Sequence, residues 1–269
     1  MEAFDLHRGT SPIILGFPHT GTFVPDDVLA HLNPNGRVLA DTDWHIHELY
    51  AGLLPGASSI RALFHRYVID ANRDPKDVSL YPGQNTTSLV PTTDFEGRPI
   101  WAEGHAPDAG ETTRRLKQFH GPYHLALAQE IARVKAAHGV AIVFDCHSIR
   151  STIPFLFSGK LPDLNVGTVD GGSCHSVIQS AAISVASAAA PYTSVLNGRF
   201  KGGWTTRHYG SPSQGIHAIQ LELAQITHLK AEEPPFDLDP IKSDRLRQVL
   251  GTMLTRIEAL APTLAKVAK

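Results

Sequence analysis

The stretch VFDCHSIRS, residues 143–151, ends an apolar run in a carboxylate, a thiol, an imidazole, a hydroxyl and a guanidinium. Imidazole is the commonest metal ligand in proteins and titrates near neutral pH, so His147 is the first candidate for chemistry. Asp145 precedes it by two residues, and alternate residues of a strand share a face. From there its carboxylate can take the second ring N–H and set the tautomer, as groups behind metal ligands do. Capping the next turn is the competing job for Asp145; the metal reading of His147 is preferred. A hydrolytic zinc site needs three protein ligands and an open position for water. His19, in PHTG, supplies a second imidazole, although alone it reads equally well as an ordinary loop histidine. Asp43, in DTDWHIH, is the favoured third ligand and Asp41 the second choice; the alternative for either is a helix N-cap. His45 and His47 are two apart and would not share a helix face.

Glu222 lies in AIQLELAQ, where Gln220, Glu222 and Ala224 alternate with Leu221 and Leu223. A carboxylate inside a buried strand is costly unless paired or close to water. That favours a general base over a surface acid, with burial lifting its pKa toward the working range. Arg73 and Arg150 can grip a carboxylate bidentately, and KGGWTTRHYG adds Lys201, Arg207, His208 and Tyr209. Any one arginine could serve only in a surface ion pair. Several near one site point to a small anionic substrate.

These residues need a scaffold that brings them together. Ile13 to Phe17 reads as a buried strand stopped by Pro18. A helix follows Asp41–Asp43, and residues 58–75 read as one or two short strands, the second being Tyr67 to Ile69 and leading into Asp70, Asn72 and Arg73. Residues 75–110 are rich in Pro, Gly and Thr, and are expected to form an ordered loop over an active site. A long amphipathic helix then runs to Gly139, with a possible kink at Gly121-Pro122. The strand VAIVFD, a Gly/Pro-rich stretch to 173, a helix over 174–189, a strand in YTSVLNGRF, the strand AIQLELAQ and a C-terminal helix complete the chain. Short apolar strands alternating with helices predict one α/β domain over 1–269, with a mixed or mostly parallel sheet and helices on both faces. Ligands of such sheets bind at the carboxyl ends of the strands, where His19, Asp70, Asn72, Arg73, Asp145, His147 and Arg150 fall.

Composition narrows the function. The 269 residues are 42% hydrophobic and 19% charged, with a net charge of −2, which gives no nucleic-acid footprint. The two cysteines, Cys146 and Cys174, are too few for a disulfide framework. The N-terminal residues lack the pattern of a signal peptide. The Ala/Ser-rich segment 176–192 is too short and polar to span a bilayer. A cytoplasmic location without membrane or nucleic-acid partners is expected.

The motifs PHTG, DTDWHI, VIDANRDP, LYPGQNTTSL, FDCHSIRS, LPDLNVGTVDGGSC, NGRFKGGWTTRHYG and AIQLELAQ occur in that order. Together, over roughly residues 10–260, the chain resembles the N-formylglutamate amidohydrolase (deformylase) family. The resemblance implies hydrolysis of N-formyl-L-glutamate to L-glutamate and formate, the last step of one bacterial route of histidine degradation. It also implies one divalent metal ion, zinc first with cobalt, manganese or iron as alternatives, and a fold similar to the zinc carboxypeptidases and aspartoacylase. Asn72-Arg73 looks like the substrate-binding Asn-Arg pair of those enzymes, and Glu222 like their catalytic glutamate. The sequence departs from them in one respect: Thr22 stands three residues after His19, where they carry a glutamate ligand, so the carboxylate must come from elsewhere. The implied roles are metal ligation by His19, Asp43 and His147, catalysis by Glu222 with Arg73 at the oxyanion, and substrate binding by Asn72, Arg73, Arg150 and Arg207.

Three other readings compete. One is a metal-dependent enzyme on another N-acyl amino acid. Another is a non-catalytic small-anion binder. The third makes Cys146 a nucleophile with His147 as base, but adjacent strand residues point to opposite faces.

Overall fold

A computed structural model describes residues 2–267. Among the described residues the strands are β1 (Phe4–His7), β2 (Ile13–Phe17), β3 (Ser58–Ala62), β4 (Ala141–Ile149), β5 (Leu164–Gly167), β6 (Ser194–Leu196) and β7 (Ile216–Ala224). They form one sheet in the order β1-β3-β2-β4-β7-β5-β6. The central four, β3, β2, β4 and β7, are parallel. β1 and β5 each join antiparallel, so the sheet is mixed, as expected.

The helices are α1 (Asp26–Leu29), α2 (Ile46–Tyr50), α3 (Ala109–Arg115), α4 (Gly121–His138), α5 (Ser176–Ala188), α6 (Trp204–Tyr209), α7 (Pro240–Glu258) and α8 (Ala261–Val267). Strand alternation divides the core into two layers. Ile142, Phe144 and Cys146 of β4, with Ile219, Leu221 and Leu223 of β7, pack with α2, α5 and α7. Ala141 and Val143 of β4, with Ala218 of β7, pack with α4 on the other face. Asp145, His147, Gln220 and Glu222 continue this second face by parity. The sheet therefore changes from core to chemistry toward the carboxyl ends of β4 and β7. No helix among the described residues is long and apolar enough to cross a membrane.

The long helical segment is irregular just before Gly121-Pro122. It passes from α3 through a π-helical turn, Leu116–His120, directly into α4. On either side of that turn, Arg115 Nη1 donates to Val68 O (3.1 Å) and His120 Nε2 lies 3.1 Å from Arg73 O. His124 Nε2 lies 2.7 Å from Ala71 O. These contacts brace the segment 66–73, which is a chain of turns and not the strand expected at Tyr67 to Ile69. The nearby strand is β3, five residues earlier. The 75–110 loop is ordered, pinned by buried Leu89, Val90, Phe95, Ile100 and Trp101.

Neither Asp41 nor Asp43 caps α2. His45 stands at that N-terminus with φ 60° and makes no side-chain cap. Both aspartates are turned inward instead. β5 was not anticipated in the Gly/Pro-rich stretch, and the YTSVLNGRF strand shortens to β6.

Candidate metal centre and active site

His147 leaves β4 opposite Glu222 of β7 in the parallel register. His19 follows β2 by two residues, and its carbonyl accepts the Asp43 N–H (3.0 Å), tying two loops together. The result is a buried cluster in which one ligand atom from each of His19, Asp43 and His147 lies within 4.8 Å of the others. The two Nδ1 atoms are 3.2 Å apart. Asp43 Oδ2 is 3.1 Å from His147 Nδ1 and 3.8 Å from His19 Nδ1.

The far side of each ring explains why the Nδ1 atoms point inward. His19 Nε2 lies 2.6 Å from Asp70 Oδ1, and His147 Nε2 lies 2.9 Å from Asp145 Oδ2. Each carboxylate can accept a hydrogen bond from Nε2–H and so turns the ring's Nδ1 into the cluster. Two imidazole nitrogens and a carboxylate converging in a buried site call for positive charge, whether protons or a cation. The Arg66 guanidinium supplies some here: it is pressed against His19 Nδ1 and is 3.9 Å from Asp43 Oδ1. The donor set of two imidazoles and one carboxylate, each imidazole backed by a carboxylate, fits a divalent cation such as zinc.

The surrounding carboxylates favour a second proton on His147, at Nδ1 against Asp43, which a bound cation would displace. Burial alone would depress the His147 imidazole, but the carboxylates of Asp145 and Asp43 push it well above its ordinary range. Burial would raise Asp43, yet hydrogen bonds to His147 and His19 hold it below the usual carboxylate range. Asp70 is likewise held low, because His19, Arg73 and Arg66 outweigh its burial. Asp41 goes the other way: burial pushes it up to about 6 against Tyr67, Arg66 and Arg150. It accepts from Tyr67 Oη (2.8 Å) and Phe95 N (2.9 Å), so it braces the loops and stands outside the ligand cluster.

Glu222 is 7% exposed and lines the same cavity as His19 and His147. Burial pushes its carboxyl up to about 7, with the His147 charge pulling back. Gln220 Nε2 donates to Glu222 Oε2 (3.0 Å), and Gly203 N donates to Gln220 Oε1 (2.7 Å). A carboxyl near 7 can both take and return a proton at neutral pH.

Asn72 and Arg73 also line the cavity. Asn72 Nδ2 donates to Asp145 Oδ2 (3.3 Å), and its Oδ1 accepts from Thr205 N (2.8 Å). The contact with the 203–205 segment is close: a Cβ on Gly203 would lie 2.6 Å from Asn72 Cγ. Gly203→Ala is therefore expected to push Asn72 off Asp145 and lower kcat/KM by about tenfold, at about 1–3 kcal/mol of stability. Steady-state kinetics with a thermal melt checks this, and unchanged kinetics would remove Asn72 from the working site.

Arg150 and Arg207 do not reach the cavity, contrary to expectation. Arg150 pairs with Glu96 (2.8 Å) and Asp41 (3.5 Å). Arg207 Nε donates to Gly202 O (3.0 Å), and its guanidinium carbon sits 5.4 Å from the Tyr81 ring. In their stead Arg66 and Arg199 line the cavity beside Arg73, together with Phe95, Leu156 and Phe200. Residue type alone did not separate these arginines from the rest; a position flanking the Asn72-Arg73 segment was the only signal for Arg66.

Cys146 points to the opposite face, packed in the core with α2 and α7. Burial and the charge of Asp145 push its thiol well above the ordinary range. Cys146→Ala is expected to keep full kcat and lose about 1 kcal/mol of stability. A collapse of kcat in a folded variant would restore the cysteine mechanism.

Comparisons with known proteins agree with this architecture. The N-formylglutamate amidohydrolase family model matches residues 11–229. The chain is 46% identical over 260 residues to a protein of Pseudomonas aeruginosa named N-formylglutamate deformylase, covering 96% of this chain and 97% of that one. It is 47% identical over 234 residues to a Pseudomonas putida protein of the same name, covering 87% of each. Its fold matches the crystal structure of N-formylglutamate amidohydrolase from Ralstonia eutropha with TM-score 0.83 and 21% identity, over 98% of this chain and 99% of that one. By the family-model match and these two relatives, the chain belongs to the N-formylglutamate amidohydrolase family.

Proposed function

We propose that the chain hydrolyses N-formyl-L-glutamate to L-glutamate and formate with one divalent cation, zinc before cobalt, manganese or iron, held by His19, Asp43 and His147. The observation that carries this reading is the meeting of that buried cluster with Glu222 and the arginines Arg66, Arg73 and Arg199 in one cavity. Relatives named N-formylglutamate deformylase, aligned over nearly the whole chain, support the substrate. On this reading the protein is a cytoplasmic enzyme of histidine breakdown, related in mechanism to the zinc carboxypeptidases and aspartoacylase.

A bound cation would lend Lewis acidity to the formyl oxygen and to the attacking water. Glu222 takes a proton from that water and returns it to the amide nitrogen as the C–N bond breaks. Gln220 fixes the carboxylate that does this. Asp70 and Asp145 hold the two rings by Nε2, so that Nδ1 of each is free to act as a ligand. Arg66 and Arg73 bring positive charge to the side where negative charge develops on the formyl oxygen. Phe95, Leu156 and Phe200 give the cavity apolar walls, and a lower local dielectric strengthens each of these charges.

The test is release of formate from N-formyl-L-glutamate by purified protein of known metal content, beside N-acetyl-L-glutamate and N-formyl-L-aspartate. Formate release with a clear preference for N-formyl-L-glutamate is the expected result. Faster cleavage of N-acetyl-L-glutamate would make the chain an aminoacylase, and binding without any hydrolysis would make it an anion binder.

A further inference from the structure

The arginines of the cavity differ in how much of their hydrogen-bonding capacity the protein itself consumes. Arg73 donates through Nε to Thr87 O (2.9 Å), through Nη1 to Asn72 O (3.2 Å) and through Nη2 to Thr86 Oγ1 (3.3 Å) and Thr87 Oγ1 (3.0 Å). Arg199 donates through Nε to Leu156 O (3.1 Å) and through Nη2 to Asn85 O (2.9 Å). Its Nη1 is buried and has no partner. An orphaned donor on a charged group is expensive to keep out of water, so such a group in a cavity wall signals a ligand that supplies the acceptor.

Arg199 is also held rigidly. Its guanidinium carbon is 5.1 Å from the Tyr81 ring centre and 5.3 Å from that of Phe200. Tyr81 is itself fixed, its hydroxyl donating to Gly202 O (3.1 Å) and accepting from Lys201 N (3.2 Å). Two carbonyls and two rings thus aim one pair of N–H groups. Arg199, Arg73 and Glu222 line one cavity.

Position within the cavity separates the arginines further. Arg66 touches the ligand cluster directly, and Arg73 follows Asn72, whose Nδ2 is 3.0 Å from His147 Nε2. The anchors of Arg199 are Leu156, Asn85, Tyr81 and Phe200, none of which hydrogen-bonds to His19, Asp43 or His147, although Asn85 adjoins the Thr86 and Thr87 that hold Arg73. In an N-formyl amino acid the α-carboxylate branches beside the scissile amide, whereas the side-chain carboxylate lies several bonds away. The near arginines suit the first and Arg199 suits the second. We propose that Arg199 is the residue that reads the side-chain carboxylate and so selects an acidic N-formyl amino acid. This inference rests on the deformylase reading above.

The experiment measures kcat/KM on N-formyl-L-glutamate and on its neutral isostere N-formyl-L-glutamine, for the native protein, Arg199→Gln and Arg199→Lys. The native protein is expected to prefer the glutamate by about 100-fold, and Arg199→Gln to lose about 100-fold on the glutamate alone. Rates on N-formyl-L-glutamine staying within about threefold serve as the internal control for folding. Equal loss on both substrates in a folded variant, or no loss on either, overturns the assignment. Should Arg199→Gln fail to fold, Arg199→Lys decides: a point charge without the planar fork is expected to cut the preference about tenfold, and an unchanged preference overturns the proposal. A native protein that cleaves both substrates equally well sinks Arg199 as selector while leaving the deformylase standing. A native protein that cleaves no N-formyl amino acid sinks the deformylase reading itself.

Discussion

Glu222→Gln is expected to lower kcat for formate release by about 10³-fold while metal content and fold stay as in the native protein. Glutamine keeps the shape and can still meet Gln220, but it neither accepts a proton from water nor returns one to the departing amine. The carboxyl is buried opposite His147 and pushed up to about 7, so the working form is gained as pH rises. kcat/KM of the native protein is therefore expected to climb with pH to a plateau. The limb lies at or below about 7, because a cation beside Glu222 favours its charged form. Parallel measurement of kcat, metal stoichiometry and the pH profile checks the assignment. A Glu222→Gln protein with more than a tenth of native kcat would remove the general base from the mechanism.

Chelation is expected to bring formate release to background, and zinc, cobalt or manganese to restore it. The tautomers of His19 and His147 are fixed by buried Asp70 and Asp145, so these carboxylates should matter almost as much as the ligands. Asp70→Asn and Asp145→Asn are each expected to weaken metal affinity by about 10–100-fold, and Asp43→Ala to abolish stoichiometric binding. Competition with a chromophoric chelator measures these affinities without reference to turnover. Formate release that survives verified removal of the metal would overturn the ligand set, and unchanged affinity in both asparagine variants would overturn the supporting role.

Much of this site was readable from residue type and strand parity. Asp145 and His147 share a face because they are two apart, and Glu222 joins them because its leucine neighbours claim the other face. Asp43 could be ranked above Asp41 as ligand but not separated from it, because only the packed loops reveal that Tyr67 and Phe95 have claimed Asp41. The errors have physical sources. Tyr67 to Ile69 is as apolar as a strand, yet these residues are buried by contact with α4 and make no ladder. β5 carries Asn165 and ends at Gly167, which masks a strand whose asparagine donates through Nδ2 to Pro162 O and Glu222 O. Among the arginines, sequence offers no measure of which guanidiniums the protein itself consumes. Arg150 and Arg207 were therefore indistinguishable from Arg66 and Arg199 until their partners were known.

The π-helical turn between α3 and α4 works as a phase shift. In a regular α-helix, residues five apart point about 140° away from one another, so Arg115 and His120 could not both face the same loop. The i→i+5 bonding of a π turn stacks such residues, and His124, one α turn further on, extends the same side. One inserted residue thus lets a single rod hold three carbonyls, those of Val68, Ala71 and Arg73, at once. Those carbonyls span the short segment running from beside Arg66 to Arg73. Removing one residue from the turn would bring the rod back into α register and leave it able to grasp one end of that segment or the other. The spacing between the arginine at the His19–Asp43 cluster and the arginine beside Asn72 is in this sense gauged by a helix that has lost count by one.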